Sequence, residues 1–159
     1  MQPIYLAGHS RPVRKVEYNF DGDLLFTCSD DSTVCMYNTF TYERIAVFNT
    51  KEACKSFTLS KDSKYLIAAC TTFGFLVFDT QKEAPIAEIA VPGDKTKQVR
   101  QVQFAVSDQK FFVLYESEKK SHIVIYDLQK VIKREDSAIE AHIDFSKMPS
   151  NIDELVTAA

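Results

Sequence analysis

Apolar and polar residues alternate along this chain in short runs, and one run recurs. Val16-Glu17-Tyr18, Phe57-Thr58-Leu59, Val102-Gln103-Phe104 and Ile143-Asp144-Phe145 all read apolar–polar–apolar. Such alternation predicts half-buried β-strands. The closing residues Tyr18, Leu59, Phe104 and Phe145 fall 41, 45 and 41 residues apart. After each comes a polar turn and then a short apolar stretch. A period near forty built from short strands is the signature of β-propeller blades.

Within each unit the turns divide the strands. In the first, Asn19-Phe20-Asp21-Gly22-Asp23 is a turn with a strong Asp-Gly signal. Leu24 to Ser29, Thr33 to Tyr37 and Arg44 to Phe48 then read as strands. The second unit repeats the order with Tyr65 to Cys70, Phe75 to Phe78 and Ile86 to Ala90. The third has Val99 to Phe104, Phe111 to Tyr115 and Ile123 to Tyr126. Residues 129–135 read as an irregular link or a helical turn, and Ile143-Asp144-Phe145 reads as the opening of a fourth unit. The expected blades are therefore about 8–50, 52–92 and 96–130, with the start of a fourth at about 138–159. The fold class is all-β, a partial propeller. A generic sandwich or barrel leaves the matched spacings unexplained, and no long helical period supports a βαβ arrangement. Three blades and part of a fourth would leave an apolar face and strand edges uncovered. The 159 residues alone are thus expected to be poorly stable.

Composition narrows the function. Hydrophobic residues make up 45% and charged residues 26%, as in a globular domain. With 12 Phe, 7 Tyr and no Trp, strand-forming aromatics carry the large-volume packing. A net charge of −3 gives no global attraction to nucleic acid or anionic membrane. No secretory leader or membrane-length apolar run is visible, so a cytoplasmic protein is expected. The cysteines Cys28, Cys35, Cys54 and Cys70 form no C-x-x-C pair and are expected as reduced thiols. Cys28 and Cys35 could face each other across a hairpin centred on Asp31-Ser32.

No catalytic signature emerges. The glycines Gly8, Gly22, Gly74 and Gly93 form no phosphate-binding loop, and His9, His122 and His142 lack metal-ligand spacing with cysteine. His122 and His142 read as solvated loop residues. Two basic groups, Lys95-Lys97-Arg100 and Lys130-Lys133-Arg134, have no interleaved aromatics and are diluted by acids. They read as solvated faces, and direct nucleic-acid binding is not expected. No catalytic residue, metal or cofactor is assigned.

The repeats resemble those of the WD40 family. Gly8-His9 stands where that family has its Gly-His pair. Residues 29–38 follow its Ser-x-Asp-x-x-Val-x-x-Trp-Asp pattern, with Tyr37 for Trp and Asn38 for Asp. Phe78-Asp79 and Tyr126-Asp127 occupy the same place in the next units. The resemblance implies a network in the first blade joining His9, Thr27 or Ser29, Asp31 and Tyr37. The second unit lacks Gly-His, and Thr72 sits near its Asp position. The N-terminus is also similar to the subunit I family of eukaryotic translation initiation factor 3. Pro3-Ile4, Leu6, Gly8-His9 and Arg11 carry that likeness, with Tyr18-Asn19 and Gly22 to Thr27. It implies a seven-bladed propeller of which this chain is the first half, three blades and the start of a fourth, with a non-catalytic scaffold role in translation initiation and partners among the other initiation factor 3 subunits and the small ribosomal subunit. Another cytosolic WD40 adaptor, in signalling or RNA–protein assembly, is the alternative; an enzyme on a propeller scaffold is a reading from another class, and a short protein whose halves pair to close a propeller is a third.

Overall fold

The computed structural model describes residues 2–91, 97–134 and 139–144, the last as a backbone strand only. These residues form three four-stranded antiparallel sheets. The first contains β1 (Val13–Tyr18), β2 (Leu24–Ser29), β3 (Thr33–Asn38) and β4 (Arg44–Asn49) in chain order. The second contains β5 (Cys54–Leu59), β6 (Tyr65–Cys70), β7 (Gly74–Asp79) and β8 (Pro85–Ala90). The third contains β9 (Gln98–Phe104), β10 (Lys110–Glu116), β11 (Ser121–Asp127) and β12 (Ile139–Asp144), with the short helix α1 (Leu128–Ile132) between the last two.

The repeat is built on one recurring turn. Asn19 N–H bonds Leu24 O at 3.0 Å, Ser60 N–H bonds Tyr65 O at 3.0 Å, and Ala105 N–H bonds Lys110 O at 2.9 Å. In each of these turns one residue has a left-handed backbone: Gly22 (φ 77°), Ser63 (φ 61°) and Asp108 (φ 56°). Only the first carries the glycine that makes this conformation free of strain. The aromatic-Asp dipeptide sets the next turn. Its polar member accepts a backbone N–H two or three residues on: Asn38 from Phe40 and Thr41, Asp79 from Gln81, and Asp127 from Lys130. In the third sheet this last bond caps α1 instead of a tight turn.

That helix corrects one sequence expectation. Ile139–Asp144 pairs antiparallel with β11, with Ile143 opposite Ile123 and Ala141 opposite Ile125. It is the outer strand of the third sheet, not the opening of a fourth unit, so this sheet extends past residue 130. The residues between β11 and β12, beginning with α1, delay the strand and leave it in a weak local pattern. Its spacing from Phe104 then imitates the start of a new repeat. Phe145 to Ala159 lie outside the described residues, as do the expected strand at Leu155-Val156-Thr157 and Lys95. His122 lies in β11 and His142 in β12, not in loops.

The sheets pack face to face through their alternating residues. Between the first two lie Phe26, Cys28, Val34 and Phe48 from one side and Phe57, Leu66, Leu76 and Phe78 from the other. Phe48 meets Phe78 edge-on at 5.3 Å. Between the second and third lie Ile67, Phe75, Val77, Phe111, Val113 and Tyr126. Phe111 stacks on Tyr126 at 5.3 Å, and Phe75 meets both edge-on. Each fully buried ring of this kind contributes ~1.5–3 kcal/mol through burial alone.

The first strands of the three sheets, here called the inner strands, are neighbours, with β5 lying between β1 and β9. Lys15 Nζ donates to Phe57 O at 2.7 Å, and Phe104 N–H donates to the buried Thr58 hydroxyl at 3.0 Å. Each inner strand has a shift of register near its start, which skips Arg14, Lys55 and Arg100 respectively. A bulge of this kind leaves the extra residue unpaired and increases the local twist.

Candidate functional site

The polar residues singled out in the sequence converge at one end of the first sheet. The link before β1 carries His9, and the β2–β3 turn carries Asp31. His9 Nδ1 lies 2.9 Å from Asp31 Oδ2, and His9 Nε2 lies 2.6 Å from Thr27 Oγ1. In the neutral ring, Nδ1–H donates to the carboxylate and Nε2 accepts from the hydroxyl. Asp31 also accepts from Ser10 N at 3.0 Å, Thr33 N at 3.0 Å and Thr33 Oγ1 at 2.6 Å. The side chains of His9 and Asp31 are only 6% and 8% exposed.

Burial by itself pushes the Asp31 carboxyl up. The bonds from the Thr33 hydroxyl, His9 and the Ser10 amide outweigh it and hold the group below the usual carboxylate range. Thr33 is the member that sequence reading missed. Its signal was local: a hydroxyl two residues after a turn Asp folds back on that carboxylate.

Ser29 and Tyr37 do not bond the His9 ring directly; Ser29 bonds the Asp31 amide, and Tyr37 reaches the network through the Thr27 hydroxyl. The Ser29 hydroxyl donates to Arg11 O at 3.0 Å and accepts from Asp31 N at 3.1 Å, so it fastens the link and the turn separately. The Tyr37 hydroxyl donates to Ala7 O at 3.2 Å. Burial, then the neighbouring Cys35, push that phenol up. The same hydroxyl explains Gly8: a Cβ there would sit 2.4 Å from it. Cys28 and Cys35 do not face each other. Cys35 pairs with Thr27 and Cys28 with Val34, which puts the two thiols on opposite faces. Cys28 points into the core beside Cys54, and all four cysteines are free.

The other two sheets carry different polar bonds. In the second, Glu52 in the link reaches the β6–β7 turn and accepts from the Thr72 amide at 3.2 Å, the Thr72 hydroxyl at 2.6 Å and the Phe73 amide. The acid has moved from the turn to the link, and Thr72 takes the Asp position. In the third, the buried hydroxyls of Tyr115 and Tyr126 bond each other at 2.8 Å. Burial is the main cause that raises both phenols.

A second group crosses between blades. Asp30 accepts from Arg14 of its own sheet and from Lys55 of the next, the latter at 2.7 Å. These two cations hold its carboxyl far below the usual range, through hydrogen bonds first and charge second. Arg100, from one basic group noted above, pairs with Glu116. Lys130, Lys133 and Arg134 lie on or just after α1. Among the described residues no group of three His, Cys, Asp or Glu could hold a metal ion.

His9, Asp31 and Thr27 have the connectivity of an acid–base–hydroxyl relay. Its enclosed position ties a link to a turn and a strand. Three stacked four-stranded antiparallel sheets define the fold class: part of a β-propeller. Residues 2–38 match the family model described as "WD domain, G-beta repeat". Among solved structures, the chain is similar to the WD40 repeats of RRP9 (TM-score 0.73, 12% identity, 87% of this chain and 40% of that one). It is also similar to the Cps50 (Swd1) β-propeller domain of Myceliophteria thermophila (TM-score 0.66, 18% identity, 93% of this chain and 44% of that one).

Sequence relatives are more particular. The chain resembles eukaryotic translation initiation factor 3 subunit I of Dictyostelium discoideum, with 30% identity over 140 residues, 84% of this chain and 40% of the relative. The same subunit of Saccharomyces cerevisiae is 26% identical over 133 residues, 82% of this chain and 37% of the relative. That of Schizosaccharomyces pombe is 42% identical over 48 residues, 30% of this chain and 15% of the relative. The chain thus spans about 40% of the length of the first of these relatives.

Proposed function

We propose that the chain supplies consecutive blades of a non-catalytic scaffold in translation initiation, within a eukaryotic initiation factor 3 assembly in the cytoplasm. The observation that carries this reading is the likeness to subunit I, which runs through 84% of the chain and not only through the repeat motif. The structure's contribution to the role is physical. Each blade is closed by its own polar bonds, and neighbouring blades are pinned by Asp30–Lys55, Lys15–Phe57 and Thr58–Phe104. A body held this way keeps its loops at fixed positions, and the work lies in surface presentation. Direct partners in this reading are other initiation factor 3 subunits, and the small ribosomal subunit is reached through them.

Affinity purification of the tagged protein from its own cells, followed by identification of bound proteins, tests the reading. Co-purification of initiation factor 3 subunits and small-subunit ribosomal proteins is the expected result. Their absence from a preparation of folded, soluble protein overturns it and favours a different adaptor role.

A further inference from the structure

The turn ends of the first two sheets are built alike and dressed differently. In the first sheet, residues 19–23 and 39–43 carry Phe20, Phe40 and Tyr42, the acids Asp21, Asp23 and Glu43, and no basic residue. In the second, the matching residues 60–64 and 80–84 carry Lys61, Lys64 and Lys82 with Asp62 and Glu83, and no aromatic. The backbone hydrogen bonds of the first turn recur in the second. Folding therefore does not require aromatics here.

The rings are also not spent on the core. Phe20 is 77% exposed, Phe40 79% and Tyr42 51%. The two loops are fastened to each other: Thr39 N–H bonds Asp23 O at 3.1 Å, and its hydroxyl bonds Gly22 O at 2.9 Å. Tyr42 lies with Ile4, Leu6 and Tyr18 around a cavity of about 140 Å³ that continues the patch. Tyr42 also holds a left-handed backbone (φ 63°), an uncommon conformation for a bulky residue, at a position where its ring is left in solvent.

Aromatics held on short, mutually bonded loops are the composition of interface anchors. Three carboxylates around them select the charge of what they meet. We propose that this end of the first sheet docks a segment of a partner protein that carries an apolar stripe flanked by Lys or Arg, such as a basic amphipathic helix. The acidic rim repels nucleic acid and anionic lipid. This surface would serve any assembly role, so the inference stands apart from the translation reading.

The probe is a synthetic amphipathic peptide of Leu and Lys, titrated at low salt against the full chain by fluorescence anisotropy. Saturable binding is expected, weakened about tenfold by Phe20→Ser or Phe40→Ser. The control pair Lys61→Ser and Gln81→Ser, at the matching places of the second sheet, is expected to leave it unchanged. A photo-crosslinking residue at position 40 is expected to capture the peptide, and one at position 81 is not. Circular dichroism confirms that each variant is folded, which exposed positions should allow. Equal binding by the Phe variants overturns the proposal. So does equal binding of a Leu and Glu peptide, preferential binding of anionic vesicles or RNA, or self-association of the chain that the Phe variants abolish.

Discussion

Asp31→Ala should be among the most damaging single changes in the first blade, and its cost can be worked from the geometry. Four donors lose an acceptor: His9 Nδ1, the Thr33 hydroxyl, and the amides of Ser10 and Thr33. The amide of Ser10 is exposed, and that of Thr33 is part-buried. The imidazole is nearly enclosed and the hydroxyl is part-buried, and an orphaned buried donor costs ~1–3 kcal/mol. At ~1.5 kcal/mol for each of these two, the loss is ~3 kcal/mol, or a fall in Tm of ~6–12 °C for a domain of this size. Chemical denaturation followed by far-UV circular dichroism measures it, with Asp31→Asn and Thr33→Val as partial variants. The His9→Ala and Asp31→Ala double-mutant cycle should show coupling of ~1 kcal/mol or more. The pH dependence carries the same information. The carboxyl of Asp31 sits below its ordinary value of 3.8, so its contribution is fully present above that value. It is lost as pH falls through the lower folded value. Wild type should therefore lose stability below about pH 4 in part through Asp31, and Asp31→Ala should lose less over that window. A loss at neutral pH under ~0.5 kcal/mol, or no coupling between His9 and Asp31, would refute this account of the network.

Three further outcomes are expected. Gly74→Ala should abolish the second blade's β7–β8 pairing or cost several kcal/mol. Gly74 has φ 139°, and a Cβ there would lie 2.0 Å from the Ile89 carbonyl oxygen, a backbone atom that cannot turn aside. Normal thermal unfolding of that variant would contradict the close approach. Thr58→Val keeps the shape but strips the acceptor from the Phe104 amide, for a loss of ~1–3 kcal/mol by denaturant titration; an unchanged midpoint would show that the amide finds another partner. Burial pushes the Cys70 thiol up to about 12, and the adjoining Cys28 thiol, then complete burial, hold Cys54 well above the ordinary range. Neither should be alkylated by a maleimide at pH 8 until the protein unfolds, and stability tied to Cys70 should fade as pH rises from about 9 towards 12. Rapid labelling of the folded protein at these two positions would count against that burial.

The repeat itself was legible in the chain because its cause is local. Alternation sets which face of a strand is buried, and Asp-Gly, Ser-Lys-Asp-Ser and their kin set where the chain reverses. The anchors Tyr18, Leu59 and Phe104 close β1, β5 and β9. The three strands that follow in each of the first two units also lie where the pattern put them, within a residue or two. The pattern failed where its cause ceased to be local. Ile139–Asp144 is a strand of the third sheet because β11 offers it a free edge, and nothing within residues 139–144 records that partner.

The candidate network divides along the same line. His9, Thr27 and Asp31 were marked by residue type and position, yet the choice between Thr27 and Ser29 depended on which hydroxyl the folded link brings within reach of the ring. Glu52 was unreadable as a counterpart of Asp31, since a carboxylate can close the same turn from either side. The cysteines show the cost of reasoning from separation alone. Cys28 and Cys35 straddle a hairpin, but a one-residue offset in register sends them to opposite faces. The sequence by itself determined the period, the strands and the residues able to bond. The tertiary structure decided strand membership at the third sheet, the pairing of hydroxyls and thiols, and the exposure of Phe20 and Phe40. Those outcomes rest on contacts between residues far apart in the chain, and their energies exist only once the sheets have stacked.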